Sequence, residues 1–375
     1  MSTSDSARVS VDLSAIAHNV EVLARHAGSA QVMAVVKANA YGHGLVPSAR
    51  AARAGGSHWL GTATVDEACT LRSAGDTGNI LAWRTSAHTD FVAAVEQGIH
   101  VSAATPEALA LVGAAARSVG RRASVHLAID SGLGREGAPL GSQWDALLAA
   151  AASLDSELVD VSGVWSHLAF ADNPHHSTID AQRDAFVTGV QQAESLGLPI
   201  RWRHLANSAA TLTRPDLHFD IVRPGLSVYG LSPLPAQADT FGLRPAMTFA
   251  APVIMVKQLP VGHGVGYGHT YHTQQDTTVV LVAAGYEEGI PRSAGNAAPV
   301  QVNGKRFTIS GRVSMDQVSI DVGTHPVAVG DMVTFFGSGD AGEPTAEEFA
   351  RACGSISYEV ITRLGARASR VYIGG

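Results

Sequence analysis

A lysine ends a short apolar run near the start of the chain, where MAVV at residues 33–36 leads into Lys37. The run is typical of a strand buried on both faces of a parallel sheet, and the small residues 38–44 after it indicate a loop. A charged ammonium is costly at the end of a buried strand, so its pKa should fall or the amine should be consumed in a bond. A Schiff base to an aldehyde cofactor removes that charge. A lysine that simply extends its ammonium out of a barrel end has the same pattern.

Other polar groups follow predicted strands at the same end. Arg135 comes after the fifth predicted strand, His167 after the sixth, Ser208 after the seventh and Arg223 after the eighth. The Ser208 hydroxyl and the backbone N–H groups of Gly225-Leu226 suit a phosphate. Arg135 suits a substrate carboxylate, and Arg223 suits a ring nitrogen. Scattered polar residues would not all choose the same end of each strand, so the pattern predicts one active site.

The elements that carry these groups alternate between strand and helix over about the first 220 residues. Such alternation predicts an α/β fold, and eight units favour a (β/α)8 TIM-like barrel over a doubly wound sheet, although a sequence does not show closure. The capping box Thr64-x-x-Glu67 predicts one of the helix starts. The predicted strands are residues 33–37, 59–63, 80–83, 99–102, 125–129, 161–165, 202–205 and 219–222.

The sequence pattern changes near Pro233. Pro233, Pro235 and the residues 236–239 look like a linker, and strand-like runs with glycine and asparagine turns follow it. Asn303-Gly304 is a strong hairpin signal, and Thr345-x-x-Glu348 predicts a late helix. We therefore predict a barrel over residues 1–238 and a mostly β domain over residues 239–375.

Composition limits the classes of function. A net charge of −7 argues against nucleic acid or an anionic membrane surface as a partner. No apolar run approaches the ~18 residues of a membrane span. Residues 1–8 are polar, and Cys69 and Cys353 are too few for a disulfide framework, so we expect a cytoplasmic protein. The 16 histidines form no recognisable ligand set, and we expect no metal.

The motifs resemble those of the bacterial alanine racemases, a pyridoxal-phosphate-dependent family of fold type III. The likeness begins with VKANAYGHG at residues 36–44 and continues, in order, through both predicted domains. The further matching stretches are residues 130–135, 167–172, 207–210, 222–225, 266–268, 284–286, 311–317 and 357–359. The resemblance implies a racemase of L- and D-alanine that supplies D-alanine for peptidoglycan. It also implies pyridoxal 5'-phosphate as cofactor and a head-to-tail homodimer whose β domain completes the partner's active site.

The resemblance also implies roles for single residues. Lys37 would hold the cofactor and act as one acid/base group, and Tyr267 of the partner subunit would be the other. Arg135 and the Met315 backbone would bind the substrate carboxylate. The other implied cofactor-binding residues are Tyr41, His167, Asn207, Ser208, Arg223, Gly225, Leu226 and Tyr358. The implied entrance residues are Asp172, Tyr286, Arg292, Arg312 and Ile356.

The implied mechanism is consistent with these residue types. Racemisation needs one base on each face of a planar carbanion, and a lysine and a tyrosine from different elements provide them. The cofactor lowers the barrier by conjugating the carbanion. A charged arginine at the ring nitrogen should keep that nitrogen unprotonated and so suppress side reactions.

The sequence departs from the family at several positions. Many members carry a carbamylated lysine seven residues before the carboxylate arginine, whereas this chain has Ala128, so Arg135 must be held in another way. Glu136 replaces an apolar residue or asparagine, and Ser314 stands where cysteine is frequent. Glu287-Glu288 adds negative charge near the predicted entrance. These acidic residues keep open a racemase of serine or of a basic amino acid.

Two other classes are less consistent with the pattern. A cofactor carrier built on the same barrel resembles the barrel alone, so the β domain with Tyr267 argues against it. Decarboxylases of this fold generally use a cysteine in the second domain, and Cys353 lies outside the matching motifs.

Overall fold

The computed structural model describes residues 6–234 and 240–375. The chain divides into two compact units. The barrel unit comprises Ile16–Ala40 and Leu45–Leu243, and the β unit comprises Met1–Ala15, Tyr41–Gly44 and Arg244–Gly375, in each case as far as the residues are described. No helix in these described ranges is long and apolar enough to span a bilayer.

Strands and helices alternate through the first part of the chain, and strands dominate the second. The strands are β1 (Arg8–Asp12), β2 (Gln31–Val35), β3 (Trp59–Thr62), β4 (Asn79–Ala82), β5 (His100–Ala103), β6 (Ala123–Asp130), β7 (Ala138–Pro139), β8 (Val159–Trp165), β9 (Trp202–His204), β10 (Ile221–Val222), β11 (Met247–Leu259), β12 (Gly264–Val265), β13 (Tyr271–His272), β14 (Thr277–Val282), β15 (Pro299–Val302), β16 (Lys305–Thr308), β17 (Val318–Gly323), β18 (Met332–Phe336) and β19 (Ser369–Ile373). The helices are α1 (Leu13–Ala27), α2 (Leu45–Ala54), α3 (Val65–Ser73), α4 (Phe91–Glu96), α5 (Pro106–Val119), α6 (Ser142–Ala152), α7 (Ser177–Ser195), α8 (Ser208–Thr213), α9 (Ala346–Ala352) and α10 (Ser357–Thr362).

The barrel unit is a nearly closed parallel barrel, as predicted. Its strands follow the order β10-β2-β3-β4-β5-β6-β8-β9. The gap between the two ends of this order is bridged by Asp220 N–H to Arg203 O at 3.0 Å and by Arg223 N–H to Ala206 O at 2.8 Å. Because parallel strands place their carboxyl ends at one mouth, the residues after β2, β6, β8, β9 and β10 share that mouth.

Apolar side chains fill the barrel interior. Met33, Trp59, Leu81 and Ile221 form a fully buried cluster, and the indole N–H of Trp59 donates to Gln31 Oε1 at 2.8 Å. That hydrogen bond satisfies the polar atom of a buried tryptophan, which would otherwise cost free energy of folding.

The β unit is built around the long strand β11. Its main sheet has the order β16-β15-β18-β11-β1-β19, with β14 paired to β11 and β17 paired to β14. Asn303-Gly304 turns the hairpin between β15 and β16 with φ angles of 48° and 76°, as the sequence predicts. Both residues have positive φ, the requirement of a type I′ turn.

The first strand of the chain belongs to this sheet. Arg8–Asp12 pairs antiparallel with β11 and parallel with β19, and residues up to Ala15 therefore group with the β unit. The predicted barrel begins at residue 1, whereas β1 joins the sheet of the β unit, because a strand of five residues does not reveal from its sequence which sheet its backbone will join. Residues 235–239 of the expected linker lie outside the described residues.

Candidate active site

Lys37 lies just after β2, at the barrel mouth. Its side chain is half-buried, and its Nζ lies 5.7 Å from the ring centroid of Trp83. Burial lowers the pKa of the ammonium, Arg135 lowers it further, and Glu136 opposes the shift. A lysine whose neutral form is favoured in this way is suited to attack an aldehyde.

The loop after Lys37 is a left-handed turn. Ala38, Asn39 and Ala40 have φ angles of 54°, and Tyr41 has 52°. Each non-glycine residue in this conformation costs roughly 1–2 kcal/mol, so the turn persists only where other contacts hold it. Asn39 Oδ1 accepts from Leu45 N–H at 2.8 Å on one side of the turn.

A carboxylate holds the other side of this turn. Glu67 Oε1 accepts from the N–H of Ala38 at 2.7 Å, while Oε2 accepts from the N–H groups of Ala63 at 2.9 Å and Thr64 at 3.3 Å. The sequence identified Glu67 only as part of a capping box, which the structure confirms. Its contact with the lysine loop was missed, because it depends on β2 and β3 being neighbours.

Arg223, directly after β10, is buried and hydrogen-bonded at both terminal nitrogens. Nη1 donates to the carbonyl of His204 at 2.7 Å and to its ring Nδ1 at 3.2 Å. Nη2 donates to Ser166 O at 2.6 Å and to His167 Nδ1 at 3.3 Å. Burial lowers the pKa of the guanidinium to about 9, which still leaves it charged at neutral pH. These bonds use the four Nη hydrogens, and among the described residues Nε–H has no hydrogen-bond acceptor.

His167 is neutral beside this cation. Burial and then Arg223 lower the pKa of its imidazole to about 3. Because Arg223 only donates, His167 Nδ1 must accept, and the single proton of the neutral ring is on Nε2. His167 therefore presents an N–H donor from the end of β8.

The predicted phosphate group of residues is assembled between α8 and the loop after β10. Ser208 Oγ accepts from the N–H groups of Gly225 at 2.9 Å and Ser227 at 3.3 Å, so its own proton remains to be donated. Asn207 serves as the N-cap of α8, with Oδ1 accepting from Ala210 N–H at 3.2 Å. The buried Leu226 follows Gly225 in the same loop.

Arg135 lies in a loop organised by Asp130, whose Oδ1 accepts from three successive backbone N–H groups, those of residues 132–134. The guanidinium is largely exposed, and its Nη2 lies 3.7 Å from Glu136 Oε2. Ala128, seven residues before Arg135 in the sequence, is buried in β6. Glu136 is thus the carboxylate that this chain places beside Arg135.

The β unit carries the remaining predicted residues. Tyr41 and Tyr358 approach each other with ring centroids 6.2 Å apart, and burial raises the pKa of Tyr41, which keeps its phenol a hydrogen-bond donor. Tyr267 is 70% exposed in the turn after β12. Six further predicted residues are also exposed. They are Tyr286, Arg292, Arg312, Met315 and Ile356 in the β unit and Asp172 in the barrel unit.

The acidic pair at residues 287 and 288 is divided in its roles. Glu288 is only 3% exposed; it accepts from Gly285 N–H at 2.8 Å and forms an ion pair with Arg367. Glu287 alone is exposed. Glu288 is therefore a structural carboxylate. Of the two residues expected to attract a cationic substrate, only Glu287 is placed to do so.

Comparisons with known proteins cover both units. The family models for the alanine racemase N-terminal and C-terminal domains match residues 11–233 and 246–372. An alanine racemase of Salinispora arenicola is 52% identical over 370 residues, 98% of each chain. One of Streptomyces coelicolor is 48% identical over 375 residues, covering 98% of this chain and 96% of the relative.

Solved structures agree with these sequence relatives. The alanine racemase from D-cycloserine-producing Streptomyces lavendulae matches with a TM-score of 0.97 at 47% identity, over 99% of this chain and 98% of that chain. The alanine racemase from Bacillus anthracis, with bound L-Ala-P, matches with a TM-score of 0.89 at 34% identity, over 99% of this chain and 96% of that chain.

Proposed function

The chain belongs to the alanine racemase family and is an amino-acid racemase, and we propose that it interconverts L- and D-alanine with pyridoxal 5'-phosphate bound at Lys37. The observation that carries the proposal is the group at the barrel mouth. There a lysine of lowered pKa, a fixed guanidinium and a serine hydroxyl follow separate strands of one nearly closed barrel.

The described residues fit this cofactor. The Lys37 amine matches its aldehyde, and the Ser208 O–H matches its phosphate, since Ser208 Oγ already accepts from two backbone N–H groups. The Nε–H of Arg223 is the guanidinium donor with no protein acceptor among the described residues, and it matches a ring nitrogen. Tyr41 and Tyr358, paired in the β unit, add phenol donors for the phosphate.

The residues divide the work of racemisation. When bound, the cofactor delocalises the negative charge that develops at the substrate Cα. Lys37 exchanges the Cα proton on one face, and Tyr267 of the partner subunit exchanges it on the other. Arg135 and the Met315 backbone bind the substrate carboxylate. Arg223 stays charged, and it would disfavour a second positive charge on the ring nitrogen of a bound cofactor.

We assign His167 and Asn207 supporting roles beside the cofactor. His167 presents its Nε2–H from the end of β8, and Asn207 fixes the start of α8, which carries Ser208. The entrance is assigned to Asp172, Tyr286, Arg292, Arg312 and Ile356.

We propose that the active enzyme is a head-to-tail homodimer in which the β unit of one subunit supplies Tyr267 to the other. Support comes from the exposure of Tyr267, Met315 and Ile356, large side chains that one chain leaves open to solvent. We further propose that the enzyme works in the cytoplasm and that its D-alanine supplies peptidoglycan. Restored growth of a bacterium that requires added D-alanine tests that role, and failure despite active expressed enzyme counts against it.

Two substitutions test the two-base assignment. Lys37→Ala should abolish the yellow colour of the cofactor-loaded protein together with nearly all activity. Tyr267→Phe should keep the colour and lose most racemisation, with unequal losses from L- and D-alanine. Equal, mild losses in both directions would show that Tyr267 is not the second base.

Mixing the two variants tests the shared site. A dimer of one Lys37→Ala and one Tyr267→Phe subunit contains one site with both bases intact, so activity should return after subunit exchange. No recovery after verified exchange contradicts a site built from two subunits.

The substrate is tested with alanine, serine and lysine offered as both enantiomers. Alanine should be turned over fastest. Faster turnover of serine or a basic amino acid would instead support the alternative substrate class, for which the exposed Glu287 is the remaining structural argument.

A further inference from the structure

Three histidine side chains inside the barrel form a series of hydrogen bonds that starts from Arg223. Arg223 Nη1 donates to His204 Nδ1 at 3.2 Å, His204 Nε2 lies 2.8 Å from His126 Nδ1, and His126 Nε2 lies 3.3 Å from His100 Nδ1. His204 ends β9, His126 lies within β6 and His100 begins β5. The series therefore runs from the mouth of the barrel to its amino-terminal end.

The guanidinium determines the direction of every hydrogen bond in this series. An arginine has no acceptor, so His204 Nδ1 must accept and the His204 proton must be on Nε2. That proton is then donated to His126 Nδ1, which places the His126 proton on Nε2. The same reasoning places the proton of His100 on Nε2.

The surroundings keep the series neutral and in place. His126 and His204 are completely buried, and burial lowers the pKa of both well below the usual value, so neither carries a charge at neutral pH. The Trp165 ring stacks on His204 at a centroid distance of 6.2 Å. Trp59 meets His126 edge to face at 5.6 Å. Gly163 on β8 faces His126 with no side chain, and a Cβ there would lie 2.6 Å from its Nδ1.

We propose that His126 and His100 are positioning residues that hold His204, and through it the Arg223 guanidinium, by this one-directional series of hydrogen bonds. The series uses one Nη hydrogen of Arg223, so it helps to fix the plane of the guanidinium and the direction of Nε–H. The catalytic consequence rests on the proposed function, because there Nε–H faces the cofactor ring. The proton positions do not rest on it.

The proton positions are tested without the cofactor. Protein labelled with ¹⁵N in histidine, freed of pyridoxal phosphate, is compared by NMR with single His100→Asn, His126→Asn and His204→Asn variants to assign the three rings. All three should be neutral with the proton on Nε2. A proton on Nδ1 of any of them, or a cationic ring at neutral pH, overturns the proposal even if the enzyme is an active racemase.

The positioning role is tested by two replacements of His126 in the loaded enzyme. Asparagine places Oδ1 near the position of Nδ1 and can still accept from His204, whereas leucine fills the space but accepts nothing. We expect kcat of His126→Asn to stay within about threefold of the parent, and kcat of His126→Leu to fall about tenfold, the equivalent of one lost buried hydrogen bond. KM should change less than kcat.

Which of the two variants has the higher kcat decides between a positioning role and a packing role. A role in packing alone predicts that leucine, the better filler of an apolar core, equals or exceeds asparagine. That order, or equal kcat in both variants, overturns the positioning role. If neither loaded variant is active while the parent is, the ¹⁵N spectrum of cofactor-free His126→Asn decides: His204 should keep its Nε2 proton, and its loss rejects the proposal.

Discussion

Glu67 accepts a hydrogen bond of 2.7 Å from the backbone N–H of Ala38, the residue after Lys37. The same carboxylate completes the capping box that starts α3. One side chain therefore secures a helix start and the left-handed turn behind the proposed cofactor lysine. Since that turn places non-glycine residues at positive φ, the charged hydrogen bond offsets part of a cost of about 1–2 kcal/mol per residue.

Replacing Glu67 should therefore damage both the helix and the lysine loop. We expect Glu67→Ala to lower the free energy of unfolding by about 2–3 kcal/mol, from the lost cap and the lost charged hydrogen bond. It should also speed the release of the cofactor during dialysis. Urea unfolding and the absorbance of the retained cofactor measure the two effects.

Glu348 provides the matched control, because it completes the same capping box at the start of α9 in the β unit. Glu348→Ala should lose stability but retain cofactor like the parent. Equal cofactor release from the two variants would show that the Ala38 contact does not hold the lysine loop.

Local patterns predicted much of this molecule. The alternation of strand and helix, the hairpin at Asn303-Gly304 and both capping boxes depend on residues close in sequence, and the structure contains each of them. The grouping of Lys37, Ser208 and Arg223 at one mouth followed from a general property of parallel barrels.

Contacts set by strand register were not predictable. The hydrogen bond between His126 and His204 joins residues 78 positions apart, on strands that both pair with β8. It depends on a register shift between Val125 and His126 and on the bare backbone of Gly163. Nothing in the spacing of two histidines within separate apolar strands indicates such a contact.

Gly163 should therefore tolerate no side chain. A Cβ at this position would lie 2.6 Å from His126 Nδ1 and 2.7 Å from Cγ, and neither the ring nor the strand can yield easily. We expect Gly163→Ala to destabilise the protein by about 1–3 kcal/mol through overpacking. Thermal unfolding measures this loss.

Two further variants separate the clash from a general effect of alanine. At Gly113 in α5 a Cβ meets nothing closer than 3.6 Å, so Gly113→Ala should be neutral or stabilise by up to about 1 kcal/mol. Gly163→Ala should cost less in a His126→Ala background than in the parent, since alanine lacks the Cγ and Nδ1 atoms that the new Cβ would meet. Simple additivity in that double variant would contradict the contact.

The charges around Lys37 should shift the pH dependence of cofactor binding in opposite directions. Burial and then Arg135 lower the pKa of Lys37, while Glu136 raises it. Glu136→Gln should lower this pKa further, and Arg135→Gln should raise it. Only the neutral amine attacks an aldehyde. When pyridoxal phosphate is added to cofactor-free protein, the rate of colour formation increases with pH as the amine loses its proton. The pH midpoint of this increase should be lower in Glu136→Gln and higher in Arg135→Gln than in the parent. Shifts of the same sign would show that these charges do not act on Lys37.

Mild acid should destabilise the protein through its buried imidazoles. Burial lowers the pKa of His167 to about 3 and of His100 to about 4, and lowers those of His126 and His204 as well. Below about pH 6.5 these histidines bind protons in the unfolded chain but not in the folded chain. Their contribution to the free energy of unfolding is therefore fully present above about pH 6.5, and it is lost as the pH falls toward the lowered pKa values. Each such histidine contributes a slope of up to about 1.4 kcal/mol per pH unit.

This effect is separable from that of the carboxylates. Arg214 lowers the pKa of Asp216 from its ordinary value of 3.8 to about 2, so its contribution is lost only below about pH 4, outside the range between pH 7 and pH 5. The urea midpoint should fall between pH 7 and pH 5, and His126→Asn should fall less steeply because one such imidazole is gone. The exposed His88 supplies the control, and His88→Asn should follow the parent. An equally steep fall in His126→Asn would mean that this ring is already protonated in the folded protein, which is incompatible with its place between His204 and His100.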